Sequence, residues 1–233
     1  MTPHFSLVVP LYNEAGNILP LLSDAVAVLA GRGREFEIIL VNDGSTDGTA
    51  ADIATVIARC PQCTELRLPR RRGQATALLT GLRAARGELL LTMDGDGQND
   101  PRDFPALLEL VESGSCDVAC GWRVDRHDGW LRRVLSRFAN AIRRQIFRDG
   151  VHDSGCQLRV LRREVRDALF PTDMMQSFIP AIAVAAGFRV SERPVTHHPR
   201  RLGDTKYPIG ELLWRPVLAT LRLRLRLWTR KRA

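Results

Sequence analysis

The chain has 233 residues, 45% of them apolar, enough for one sizeable core, which excludes a mainly disordered state. Thirty-four Lys and Arg against 26 Asp and Glu give a net charge of +8, which points to an anionic partner. Seven of those basic residues and one acidic residue fall in 211–233, so this segment carries +6 and the remaining 210 residues only +2. One basic appendage is therefore expected rather than a nucleic-acid footprint over the whole surface.

The most apolar uncharged stretch, 174–188, has 15 residues and contains Gln176, Ser177 and Pro180, short of the roughly 20 that a spanning helix needs. The N-terminus enters the strand-like segment 5–10 without the basic, apolar and small-residue succession of a leader, so a cytoplasmic location is expected. Cys60, Cys63, Cys116, Cys120 and Cys156 are odd in number and irregular in spacing, which suits reduced thiols. The Cys60, Cys63 pair lacks a second pair at zinc spacing.

In chain order, segments 5–9, 37–41, 64–68 and 88–93 are short runs rich in Val, Ile and Leu. Between them, Ile18, Leu21, Leu22, Ala25, Val26 and Leu29, then Ile53, Val56 and Ile57, then Ala77, Leu78, Leu82 and Ala85 recur at helical spacing. Asn17 is placed to cap the first helix, and Gly87 to end the third in a left-handed turn. A helix over 103–112, a strand over 117–121, a basic helix over 131–147 and a strand over 156–161 follow. This alternation predicts an α/β fold, a mostly parallel sheet flanked by helices, whose ligands lie at the carboxyl ends of the strands.

Three such ends are polar: Tyr12, Asn13 and Glu14; the segment 42–47; and the segment 94–100. Asp94 and Asp96 are two apart, with a glycine after each. Paired carboxylates repel and raise each other's pKa unless a cation lies between them. A hard divalent ion such as Mg²⁺ answers this, taking one or two carboxylates together with water and substrate phosphate. The structural alternative is a turn whose Asp side chains cap a helix starting near Pro101. Likewise Asp43 is placed to accept from a base or ribose, although 42–47 also reads as an Asx turn with Asp47 as a cap.

The motifs Pro10-Leu11-Tyr12-Asn13-Glu14, then 41–49, then Met93-Asp94-Gly95-Asp96-Gly97-Gln98 resemble, in order and spacing, the family 2 glycosyltransferases of the GT-A (Rossmann-like) fold, and within them the dolichol-phosphate mannose synthase and polyprenyl-phosphate branch. The resemblance continues through Gly121-Trp122-Arg123, the segment 132–140, Asp153-Ser154-Gly155-Cys156, His197-His198-Pro199-Arg200 and Gly203 to Tyr207. It implies that Pro10, Tyr12, Glu14, Asp43 and Gly73 hold the donor nucleotide. It further implies that Asp94, Asp96 and Gln98 hold Mg²⁺ or Mn²⁺, and that Arg123, Arg132, Arg133, Ser136, Arg200 and Lys206 receive an acceptor phosphate. Asp94, Asp96, Arg123 and Arg132 would then carry catalysis. The chain departs from the family at Arg71, where many relatives have Asn, at Gln176 and Ser177, where close relatives have His and Arg, and at Thr205. These departures lie mostly on the acceptor side.

A hydroxyl acceptor must lose a proton and needs a base, whereas a phosphate is already anionic and needs orientation and screening. The 123–148 segment holds eight arginines against Asp125 and Asp128, and Arg132, Ser136 and Asn140 share a helical face. Guanidinium forks suit phosphate at Arg123, Arg132 and Arg133; Arg143, Arg144 and Arg148 are expected to be solvated. Asp100 and Asp173 remain as bases for a hydroxyl.

At 100° per residue, Trp214, Val217, Leu218, Leu221, Leu225 and Trp228 form one stripe, with Arg215, Arg222 and Arg226 roughly perpendicular to it. This pattern suits an amphipathic helix lying on an anionic membrane surface; a core-packing helix is the alternative. The expected organisation is a catalytic domain over 1–210 and a basic tail over 211–233. The expected function is metal-dependent, inverting sugar transfer from a nucleotide diphosphate sugar to a polyprenyl phosphate, peripheral on the inner face of the membrane. A hydroxyl-using glycosyltransferase and a non-catalytic basic binding protein are the competing readings. Nucleic acid is not an expected partner, because aromatics are only 6% of the chain and base stacking needs them.

Overall fold

The structure is a computed structural model that describes residues 2–124, 130–199 and 211–230, with 130–134 and 211–213 through their helical backbone alone. Four strands, β1 (Phe5–Leu11), β2 (Phe36–Asn42), β3 (Cys63–Arg67) and β4 (Leu89–Thr92), alternate with α1 (Ile18–Ala30), α2 (Thr49–Arg59) and α3 (Gln74–Ala84). A 3₁₀ turn (Pro101–Asp103), α4 (Phe104–Glu112), β5 (Val118–Arg123), α5 (Trp130–Phe147), β6 (Arg159–Arg162), α6 (Arg163–Ala168), α7 (Met175–Ala185), β7 (Val190–Val195) and α8 (Glu211–Arg230) complete the order. The sheet has seven strands in the order β3-β2-β1-β4-β6-β5-β7, and β6 alone runs against the others.

Period-two side chains divide the core between two faces of this sheet. Phe5, Leu7 and Val9 of β1 join Ile38 and Leu40 of β2 under α1, α2 and α4, while Val8, Ile39 and Val41 face α3, α6 and α7. Because both faces are covered, β1, β2 and β4 read as almost continuous apolar runs. The strand carboxyl ends thus emerge at one edge, and the chemistry-bearing loops gather there.

Several local expectations are corrected. Asn17 does not cap α1: its backbone is already helical (φ −87°, ψ −27°) with no side-chain cap bond, and its amide donates to Glu14 Oε2 at 3.1 Å. Gly87 forms no left-handed cap, since α3 ends at Ala84 with an extended Ala85. Its lack of a side chain serves close approach instead, because a Cβ there would stand 2.6 Å from the Ser6 amide nitrogen. β6 begins at Arg159, three residues later than expected, since 156–158 still belongs to the loop leaving Asp153.

The C-terminal helix α8 has two apolar faces. Ala219 and Leu223 are buried in the same cluster as α3 and α7, with Leu227 packed against it. Trp214, Leu218, Leu221, Leu225 and Trp228 point the other way and are 48–68% exposed. The expected stripe is therefore outside except at half-buried Val217, and the core-packing alternative also holds for the opposite face. Pro216 within the helix has no N–H to donate to the carbonyl four residues earlier, and one turn later the Thr220 hydroxyl donates to the Pro216 carbonyl at 2.7 Å.

Candidate active site

A cleft of about 780 Å³ opens at the carboxyl edge of the sheet, walled by the loops after β1, β2 and β4 and by α5, α7 and α8. Pro10, Tyr12, Glu14, Asp43, Gly73, Asp94, Asp96, Gln98, Arg123 and Ser136 all line it. The structure thus brings together every predicted site residue whose side chain is described. Arg132 and Arg133 lie on the first turn of α5, known by its backbone only, and Arg200 and Lys206 lie outside the described residues.

The wall formed by the first two strand ends is knitted by side chains accepting from backbone N–H groups. Ser45 Oγ accepts from Asn13 at 3.1 Å, Thr49 Oγ1 from Glu14 at 2.8 Å, and Asp47 from Ala15 at 3.2 Å and Thr49 at 3.0 Å. Burial pushes the Asp47 carboxyl up, but these bonds outweigh it and hold it below its ordinary value. Asp43, 2% exposed, accepts from the N–H groups of Arg72 at 2.6 Å and Gly73 at 2.8 Å. Its carboxylate therefore shapes the turn that opens α3. Gly44 (φ +67°) makes that turn possible: a Cβ would sit 2.6 Å from the Arg70 carbonyl carbon and the Arg71 nitrogen. Arg71 stacks on Tyr12, guanidinium carbon 4.3 Å from the ring centre, so this departure from the family occupies the cleft wall.

At the cleft floor, Gln74 Nε2 donates to Asp94 Oδ1 at 2.6 Å, and Asp96 Oδ1 accepts from the Gln98 N–H at 3.1 Å. Burial first, and Asp96 second, push the Asp94 carboxyl up to about 7, against the attraction of Arg123 and Arg159 and the Gln74 bond. Among the described residues no group of three His, Cys, Asp or Glu is gathered for a metal. The two aspartates fit an ion that completes its shell with water and substrate oxygen, as Mg²⁺ or Mn²⁺ does, and not one needing an all-protein cage. The amide nitrogen of Gln98 is directed at the His198 carbonyl, 3.5 Å away. Gly95 admits the Leu11 side chain, whose Cδ2 would lie 2.2 Å from a Cβ there.

The helix-capping role belongs to Asp100, whose Oδ1 accepts from the Arg102 N–H at 2.9 Å while Oδ2 meets His198 Nε2 at 3.0 Å. Burial raises this carboxyl, but His198 and the Arg102 bond prevail and hold it below its ordinary value. Asp100 is outside the main cleft, which removes it as a base. Asp173 does line the cleft, paired with Arg215 at 3.2 Å.

On the opposite wall Ser136, Ala139, Asn140 and Arg143 of α5 face the cleft. Arg123 donates from Nε and Nη2 to the two oxygens of Asp153 at 2.7 and 3.0 Å, and Glu192 in turn accepts from the Asp153 N–H at 3.0 Å. The guanidinium is thus held in one plane at the cleft rim. Asn140 Oδ1 accepts from Ser154 Oγ at 2.8 Å. Arg143, expected in solvent, is 2% exposed and paired with Asp149 and the Val151 carbonyl. The reason is tertiary: the 149–151 loop, with Asp149 itself buried, folds back under α5 to receive the guanidinium, a meeting that helical spacing alone does not reveal. Gln74, Gln157, Gln176 and Thr220 are cleft residues that the sequence reading did not select; neutral amides carry no charge-pattern signal.

The family profile described as glycosyl transferase family 2 matches residues 6–170. A dodecaprenyl-phosphate galacturonate synthase of Rhizobium johnstonii is 38% identical over 209 residues, covering 88% of this chain and 62% of that protein. An undecaprenyl-phosphate 4-deoxy-4-formamido-L-arabinose transferase of Edwardsiella ictaluri is 35% identical over 210 residues, covering 89% and 64%. The chain therefore spans somewhat under two thirds of the length of these relatives. Among solved structures, the mannosyltransferase PcManGT of Pyrobaculum calidifontis in complex with GDP-Man and Mn²⁺ superposes with a TM-score of 0.70 at 21% identity, over 97% of this chain and 65% of that one. Glucosyl-3-phosphoglycerate synthase of Mycobacterium tuberculosis with Mn²⁺, UDP and phosphoglyceric acid gives 0.73 at 21%, over 95% and 78%. With the mixed sheet, the acidic floor at the end of β4 and the profile match over most of its length, the chain belongs to glycosyl transferase family 2.

Proposed function

We propose that this protein transfers a sugar, with inversion, from a nucleotide diphosphate sugar to a polyprenyl phosphate at a membrane surface. The observation that carries the reading is the division of one cleft into a carboxylate floor (Asp94, Asp96) and an arginine-bearing rim on which Arg123 is fixed by Asp153. Two relatives named for polyprenyl-phosphate acceptors support the choice.

In this reading Pro10, Tyr12, Glu14, Asp43 and Gly73 hold the nucleoside, and Asp94 and Asp96, with Gln98 beside them, hold Mg²⁺ or Mn²⁺. When bound, the ion screens the charge of the departing diphosphate. Arg123, with Arg132, Arg133, Ser136, Arg200 and Lys206, orients the acceptor phosphate so that its oxygen forms the new bond to the anomeric carbon opposite the bond that breaks to the diphosphate. The acceptor brings no proton to remove, so no general base is needed. Asp173 is the carboxylate that a hydroxyl acceptor would use instead.

The outer stripe of α8 supports a peripheral membrane position, on the inner face where nucleotide sugars are available. No helix among the described residues is long and apolar enough to cross a membrane.

Incubation with membrane lipid extract and a panel of nucleotide sugars, followed by mass spectrometry of the lipid fraction, tests the reading. A polyprenyl phosphate sugar is the expected product. A sugar linked to a hydroxyl, or no turnover despite nucleotide binding, would refute it.

A further inference from the structure

Gln176 stands in the second position of α7 and is 7% exposed, on the cleft wall above Asp94. Its side-chain orientation follows from a chain of donors and acceptors that starts at a carboxylate. In the ionised form that holds a metal Asp94 only accepts, so Gln74 then directs its NH₂ at it, at 2.6 Å. The Gln74 oxygen is thereby turned towards Gln176, which must answer with its own NH₂, at 3.3 Å. What is left is the Gln176 side-chain oxygen, buried and without a hydrogen-bond partner in the protein. With Asp94 ionised, reversing the amide would oppose two oxygens.

The backbone of Gln176 is equally constrained. Arg159, wholly buried, donates from Nη1 to the Gln176 carbonyl at 2.5 Å and to Gln157 Oε1 at 2.9 Å, and from Nη2 to the Ser154 carbonyl at 2.8 Å. Met174 just before the helix has a left-handed φ of +53°, a conformation a bulky side chain adopts only when its surroundings enforce it. The side chain is thus held from both ends, and a residue lining the cleft carries, just beneath its surface, an acceptor that costs free energy to leave unpaired.

We infer that Gln176 is a specificity-determining residue that reads the donor sugar, its side-chain oxygen accepting a hydrogen bond from a sugar hydroxyl or amide N–H. This rests on the cleft being a nucleotide-sugar site and adds to it the chemistry of the group that the sugar presents to α7. A carboxylate at that position of the sugar brings no donor and is disfavoured.

The test is calorimetric binding to the full chain in Mn²⁺, with no acceptor, comparing bare nucleotide diphosphates, their sugar conjugates and a series of monodeoxy sugar conjugates. Gln176→Leu should weaken the sugar conjugate about tenfold while leaving the bare diphosphate within about twofold. Gln176→His, whose ring donates at one nitrogen and accepts at the other, should recover most of the loss. At one sugar position the deoxy analogue should cost the wild type as much as the substitution does and cost Gln176→Leu nothing further, the non-additivity of groups in contact. Equal weakening of the bare diphosphate would assign Gln176 to the metal floor through Gln74 and overturn the inference. So would additive losses at every deoxy position, or unchanged binding. Wild-type protein that binds no nucleotide diphosphate at all would instead bring down the site reading itself, and this inference with it.

Discussion

Asp94 and Asp96 differ in setting although they are two residues apart. Asp94 is held by Gln74, and its carboxyl is pushed up to about 7 by burial and by Asp96. A metal must displace that proton, so metal affinity should rise with pH, roughly tenfold per unit below about 7, and level off above it. Titration of Mn²⁺ by calorimetry at pH 5.5, 6.5 and 7.5 checks this; a flat profile would count against Asp94 as a ligand. Asp96→Asn removes one carboxylate charge and should abolish nearly all turnover without lowering Tm, and excess EDTA should do the same to the wild type. Activity that survives EDTA would exclude the metal reading.

A second carboxylate concerns stability rather than chemistry. Glu37 at the amino end of the sheet accepts from Ser6 Oγ at 2.7 Å, from the Arg86 N–H at 2.8 Å and from the Arg86 guanidinium at 2.7 and 3.0 Å. Burial raises its pKa, but the bonds from Arg86 and Ser6 prevail and the net shift is downward from 4.5. The unfolded chain therefore takes up the proton first as pH falls. The stabilisation is present in full above about pH 4.5 and is lost below it, through the lower folded value. Glu37→Ala should cost about 1–3 kcal/mol at pH 7, since it strands the buried Ser6 hydroxyl and a backbone N–H. Denaturant unfolding should show that difference shrinking below pH 4.

At the scale of the element, α8 presents two apolar faces, one packed on the core and one exposed. Leu223 is fully buried and Ala219 nearly so, so deleting the helix should expose the cluster formed by α3 and α7 and destabilise the fold. Truncation after Gly210 is therefore a poor test of membrane binding. Replacing Trp214, Leu225 and Trp228 by Ser leaves the packed face intact and should keep Tm within a few degrees while releasing the protein from anionic liposomes. If this variant still sediments with vesicles, the outer stripe is not the contact. Arg226 and Arg230 stack over Phe170, at 4.8 and 4.3 Å from its ring centre, so part of the arginine content of the helix secures its seat. Arg222 and Arg224 are exposed beside the stripe and are the residues placed to meet anionic headgroups.

For the molecule as a whole, the net positive charge is concentrated in one segment, +6 in 211–233 against +2 elsewhere, so binding to anionic liposomes is predicted to be electrostatic and oriented by that segment. Liposome binding should weaken as the Debye length falls from about 10 Å at 0.1 M salt to about 3 Å at 1 M, with a residual fraction due to the tryptophan stripe. Cosedimentation over that range should show both parts, and Arg222→Gln with Arg224→Gln should remove the salt-sensitive one. The cleft runs between the sheet edge and α5, α7 and α8, with Arg215, Pro216 and Thr220 of α8 in its lining. A helix lying on the headgroups would thereby bring the acceptor wall to the lipid.

The amino-acid sequence by itself determined the alternation of strands and helices, the three polar strand ends and the family. These depend on short-range periodicity and on motifs whose residues lie within a few positions of one another. It also placed the tryptophan stripe on one side of α8, because helical spacing is local. Only the tertiary structure decided which side of a helix meets the core: Arg143 is buried where solvent was expected, and α8 packs by a face that carries no sequence signature beyond Ala219, Leu223 and Leu227. It likewise decided that Asp100 is a cap and Gly95 a packing partner of Leu11. The chain from Asp94 through Gln74 to Gln176 joins residues about a hundred positions apart. Hydrogen bonds between neutral amides depend on where three separate elements meet, and no local pattern encodes that meeting.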